Sequence, residues 1–179
     1  MGQVQTLIHT FNWHSPSWDL FILLFWIVGS VLFAFAAGRG RMLTVLVSTY
    51  MAQLLVIKAP FFTEIVSKHL GDANGTFAEL AAFVVLFLIF FVFLGRYAFK
   101  SSIDGRQIIS LPFVLVFTFL EVGLLINIIL GYLPDLIKNG FSPLIQFLFL
   151  QANMTFIWLV APVIFLIIVG RFVSEQFDN

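Results

Sequence analysis

The chain has 179 residues, 61% hydrophobic and 10% charged, with zero formal net charge and a mean hydropathy of +1.07. An average soluble domain carries about 25% charged residues, so this sequence is too apolar to cover its surface in water and reads as a membrane protein. Charge balance without a basic stripe excludes an electrostatic nucleic-acid binder. The absence of cysteine excludes disulfides, a thiolate nucleophile and Cys-ligated metal.

A transmembrane helix needs roughly 20 mostly apolar residues at about 1.5 Å each. The first such run, WDLFILLFWIVGSVLFAFAA (18–37), has one charge, Asp19, at its start. It lacks a basic leader and is followed by Arg39 and Arg41 rather than a small-residue cleavage site, so it reads as a span and not a cleaved signal peptide. The second, 42–57, is shorter and studded with hydroxyls. The third, 77–94, is apolar on every side after Glu79. The fourth, 111–133, is the longest and holds Glu121 near its middle. A fifth covers 153–170.

The expected fold is therefore all-α: a polytopic integral membrane helical bundle of about five transmembrane helices, forming one domain over 1–179. One or two further helices are expected on the outer side. In 59–75, Pro60 can open a helix, Phe61, Phe62, Ile65, Val66 and Leu70 recur at helical spacing, and Gly71 or Gly75 can end it. In 141–151, Ser142 is a cap candidate and Pro143 suits the first helical position. Both are too short to span, so they either lie in the headgroup layer or re-enter the bundle.

Five spans put Arg39, Arg41, Arg96, Lys100, Arg106 and Arg171 on one side and Lys58, Lys68 and Lys138 on the other. The positive-inside bias then places the N-terminus outside and the C-terminus in the cytoplasm. Trp13, Trp18, Tyr132 and Trp158 fall near the outer boundary, where aromatic belts form, while Trp26 and Tyr50 sit deeper.

Small and polar residues predict the helix contacts. Ser30, Ala34 and Gly38 form a small-residue ridge that permits close helix approach. Thr44, Ser48 and Ala52 form one stripe on the second span, with Thr49 and Gln53 beside it, so that span should face protein. Gly123, Asn127 and Gly131 form a packing stripe on the fourth. Glu121 shares a face with Thr118, Phe117 and Leu125 and lies about 120° from Asn127.

No Lys or Arg inside a span can balance Glu121, and an ionised carboxylate at that depth would be costly. Three readings remain. A protonated Glu121 can join helices by bonding Gln53, Thr49 or a backbone carbonyl. It can be a titrating site for a proton or cation, with Thr118, Asn127, Thr49 and Gln53 as its polar surroundings. It can also meet a second subunit or a lipid.

Enzyme chemistry is not expected: H-E-x-x-H, G-x-S-x-G, G-x-G-x-x-G and phosphate-loop motifs are missing, and no span interior contains Asp. GRGR (38–41) reads as a basic turn between spans. His9, His14 and His69 lack ligand spacing, so neither a metal nor a cofactor is expected. NGT (74–76) and NMT (153–155) match glycosylation sequons.

Residues 18–56, WDLFILLFWIVGSVLFAFAAGRGRMLTVLVSTYMAQLLV, resemble the opening of the colicin V production protein family. Asp19 stands before the first apolar helix, Gly38, Arg39, Gly40 and Arg41 form the turn, and a helix bearing polar residues follows. AAFVVLFLIFFVFLGRYAFK (81–100) is similar to that family's third helix, which ends in basic residues. The chain departs from the family in its longer first helix, in lacking the glycine-rich fourth-helix pattern and in continuing through 141–172. The resemblance implies a non-enzymatic scaffold or accessory in peptide export or envelope maintenance, in a cell membrane such as the bacterial inner membrane. Its surroundings would be the lipid bilayer and either further copies of itself, as a homo-oligomer, or a partner membrane protein. The alternative is a small channel or a proton- or cation-coupled transporter using Glu121, although the sequence lacks the inverted repeat common in transporters.

Overall fold

The computed structural model describes residues 18–37, 41–58, 72–98 and 111–175. Their elements are α1 (Trp18–Ala37), α2 (Met42–Lys58), α3 (Asp72–Phe93) with a π-helical turn at Leu94–Ala98, α4 (Leu111–Gly131), α5 (Asp135–Lys138), α6 (Pro143–Ile145) widening into a π-helical turn at Gln146–Leu150, and α7 (Ala152–Glu175). No strand occurs among the described residues. Four helices contain segments long and apolar enough to cross a membrane: Asp19–Ala36, Phe77–Tyr97, Leu111–Gly131 and Ala152–Gly170. The helix α2 is apolar but has only 17 residues.

Polarity is turned inside out. Leu24, Leu32, Phe35, Ile57, Val92 and Ile167 point outward, whereas Asp19, Ser30, Thr44, Ser48, Thr49, Thr118, Glu121 and Asn127 are buried. Hydrocarbon solvates the first set and no polar group of the second, so this is the pattern of a membrane-embedded protein.

The centre of the bundle is α4. Of its span 61% is buried, against 6% for the span in α3. It packs against α1, α2, α7 and the turn at Gln146–Leu150, and α3 packs chiefly on α2. Asp19 meets the Ser142 amide, Gln53 meets Tyr132, and Phe83 faces Tyr132 at 6.0 Å. These contacts, with Asn127 on Thr155, gather the start of α1, the finish of α2 and α4 and the start of α7 at one end. Thr44 lies beside Gly95, and Phe113 faces Phe165 at 6.3 Å, which marks the other end. The five long helices thus alternate in direction.

An aromatic cluster fills the space between α1, α4, α6 and α7. Trp26 stacks on Phe119 at 4.2 Å and meets Phe149 and Trp158 edge-on, each at 5.3 Å. Gly123 makes room for it: a Cβ there would lie 2.6 Å from Trp158 Cη2. Trp158 is therefore not the boundary anchor expected of it. It is buried, and its indole N–H donates to Leu148 O at 2.8 Å, as a buried tryptophan requires.

Several bounds differ from expectation. The helix α4 stops at Gly131 rather than 133, where Tyr132 N reaches both Ile128 O and Ile129 O at 3.2 Å and Pro134 follows shortly after. The longest helix is α7, with 24 residues, not α4 with 21. A helix continues past its apolar run wherever no breaker intervenes, because propagation is easier than nucleation. For the same reason α3 starts at Asp72 and contains Gly75. The rest of the expected outer helix at 59–75 lies outside the described residues. In α6, Ser142 caps the helix by accepting from Ile145 N at 3.5 Å and Pro143 takes the first position. Ile145 and Phe149 are buried in the core.

Candidate functional site: the polar interior around Glu121

Glu121 stands ten residues from either end of α4, about 15 Å along the axis. Its side chain is completely buried. Thr49 Oγ1, on α2, lies 2.9 Å from Glu121 Oε1 and equally 2.9 Å from Val45 O of its own helix. Glu121 Oε2 has no partner. Gln53, the other expected partner, turns away and accepts from Tyr132 Oη at 3.0 Å. Burial, with the negative charge of Glu79 adding, pushes the Tyr132 phenol up to about 12, so it stays a neutral donor. Thr118 satisfies itself on Val114 O and Leu115 O, both at 3.0 Å, and adds nothing to Glu121.

The second polar contact of α4 is made on a different face. Asn127 Nδ2 donates to Phe149 O and, at 3.1 Å, to Thr155 Oγ1. The reason lies in the link before α7. The π-helical turn at Gln146–Leu150 gives way to extended backbone at Gln151, so carbonyls in its last turn lack helical donors. Asn127 takes the Phe149 carbonyl, and Trp158 takes that of Leu148.

Two further polar contacts escaped sequence reasoning. Both Asp19 carboxylate oxygens accept from Ser142 N, at 3.1 and 3.2 Å, which ties the first turn of α1 to the link. Tyr50 donates to Leu159 O, one turn before Pro162. That proline removes the N–H that would have met the Trp158 carbonyl, the neighbour of the one Tyr50 takes. Phenols and indoles inside apolar runs were the available signal, since each needs a partner once buried.

Near the Asp19 end a half-open cavity of about 480 Å³ is lined by Gln53, Asn127, Tyr132, Asp135, Lys138 and Thr155 among others. Glu121 is not on its wall. It lies six residues below Asn127 and about 120° around the helix. Lys138 and Asp135 pair at the mouth, 3.4 Å apart.

The expected packing residues separate. Ser30 and Ala34 are buried, Gly123 abuts Trp158, and Gly38 lies outside the described residues. Gly131 does not pack: a Cβ there would meet nothing within 4 Å, because α4 ends where the cavity opens. No cluster of three or more His, Asp or Glu occurs among the described residues, and His9, His14 and His69 lie outside them. No protein-family model matches the chain, nor does any curated protein or solved structure.

Proposed function

We propose that this chain is a non-enzymatic, multi-pass membrane protein that works as a scaffold or export accessory, with Glu121 joining α4 to α2. The observation that carries the reading is the sealing of Glu121: fully buried, on Thr49, and off the cavity wall. Thr49 has one hydroxyl proton for two acceptors, Val45 O and Glu121 Oε1. A carboxyl that keeps its proton resolves this count by donating to Thr49 while Thr49 donates to Val45. Glu121 is then a neutral hydrogen-bonding group within the bundle.

The proposed topology has five crossings, the N-terminus outside and the C-terminus in the cytoplasm. It is supported by the course of α2, which runs from Thr44 beside Gly95 to Gln53 beside Tyr132 and so accompanies the other helices from end to end. A reporter after Asn179 should read cytoplasmic and one beside Lys138 external. An external tail would remove α2 from the crossings.

The half-open polar cavity favours a second reading, a channel or transporter. Liposomes containing the protein separate the two. The scaffold reading expects no proton flux, and Glu121→Gln should leave folding unchanged. Proton flux in the wild type that is lost in Glu121→Gln would establish the transporter. A scaffold should also be recovered from mild detergent at more than its own 20.3 kDa plus detergent, as a homo-oligomer or with a partner membrane protein.

A further inference from the structure

At the end opposite Asp19, a cavity of about 280 Å³ lies between the first turn of α2 and the π-helical turn after α3. Arg41, Thr44, Phe91, Val92, Gly95 and Arg96 line it. Arg41 and Arg96 are both exposed, and no carboxylate is on the wall. Among the described residues, neither guanidinium has an ion-pair or hydrogen-bond partner. Thr44 is completely buried at the floor, and its Oγ1 is without any partner. Thr44 is the third residue of α2, so no full turn precedes it for its hydroxyl to fold back onto as Thr49 does, and the buried oxygen is left needing a partner. From the cavity rim a shallow apolar groove of about 510 Å³ runs along the outer face of α3, past Arg96 and Val92 to Leu88, Ile89, Phe93 and Tyr97.

We propose that this cavity binds the phosphate of an anionic membrane lipid, with an acyl chain lying in the α3 groove. Two unpaired guanidinium forks match phosphate oxygens in geometry and charge. The Thr44 hydroxyl gains an acceptor, and the start of α2 contributes the positive end of its dipole and unsatisfied N–H groups. The cavity far exceeds the ~30 Å³ share of one water, and it lies at a helix end, the level of lipid headgroups. The π-helical turn supplies the geometry: its wider coil carries Gly95 against Thr44 and Arg96 onto the rim. A soluble phosphate shares the headgroup chemistry but leaves the apolar groove unused. The assignment stands independently of the scaffold or transporter reading.

The full chain in neutral detergent is titrated with phosphatidylglycerol, phosphatidylcholine or inorganic phosphate, with bound lipid counted by native mass spectrometry and stability followed by thermal unfolding. Phosphatidylglycerol should bind and raise the melting temperature, and phosphatidylcholine should bind more weakly. Each of Arg41→Gln and Arg96→Gln should reduce phosphatidylglycerol affinity about fivefold, with folding intact because both side chains are exposed. Thr44→Val should melt higher than wild type without lipid, since the orphan is gone, and gain less from phosphatidylglycerol. Equal binding of phosphatidylcholine, or undiminished binding in the double arginine variant, overturns the site. Equal stabilisation by inorganic phosphate overturns the lipid assignment in favour of a soluble anion. An unchanged lipid response in Thr44→Val removes the hydroxyl from the site.

Discussion

The two sides of α4 bury polar groups in opposite ways. Toward α1, α6 and α7, polar side chains find stranded backbone groups of the link before α7: Trp158 donates to Leu148 O and Asn127 to Phe149 O, and Asp19 accepts from Ser142 N. Toward α2, hydroxyls are spent on their own helix, Ser48 on Thr44 O at 2.6 Å and Thr49 on Val45 O. Little donor capacity is left, and on this side Glu121 Oε2 has no partner. Irregular backbone offers directional partners that lock one geometry. A regular helix satisfies its own N–H groups and offers mainly side chains as partners.

That contrast predicts an order of sensitivities, each read by thermal unfolding in detergent. Gly123→Leu should do most harm, about 3 kcal/mol, because the new side chain must displace the Trp158 ring from the aromatic cluster. A small effect would mean that the cluster is loosely packed. Asp19→Ala should follow at about 2 kcal/mol, the scale of a hydrogen bond to a charged group, by releasing the Ser142 amide. If Asp19→Ala melts like wild type, the link is held by Ile145 and Phe149 alone. Asn127→Ala should cost about 1 kcal/mol, as for a polar pair between membrane helices. Glu121→Gln should change least, below about 0.5 kcal/mol, because an amide N–H can still donate to Thr49 while Thr49 donates to Val45 O. Glu121→Gln proving worse than Asn127→Ala would reverse the comparison and show that the α2 side depends on the carboxyl itself.

Much of this was legible in the sequence, though unevenly. Asp19 at the start of α1, the Ser142–Pro143 start of α6 and the 120° separation of Glu121 from Asn127 all follow from spacing. Spacing also predicted that α2 would turn its hydroxyls toward protein, and Thr44, Ser48 and Thr49 are completely buried. It did not foresee the partner of Asp19, 123 residues away, nor that Gly131 faces a cavity while Gly123 abuts an indole. Both glycines read alike in a stripe, and only the neighbouring helix distinguishes them.

What the sequence determined by itself is the medium and the elements. Transfer of a helix into hydrocarbon is close to a sum over its own residues, so the apolar runs in α1, α3, α4 and α7 declare themselves locally. Tertiary structure alone decided that Glu121 meets Thr49 while Gln53 goes to Tyr132, that Trp158 turns inward, and that Arg41, Arg96 and Thr44 share one cavity. Helix association in a membrane is not driven by hydrophobicity, because lipid is as apolar as leucine. The rotation and crossing of each helix therefore depend on pairwise shape and hydrogen bonds between residues far apart in the chain, which no local pattern records.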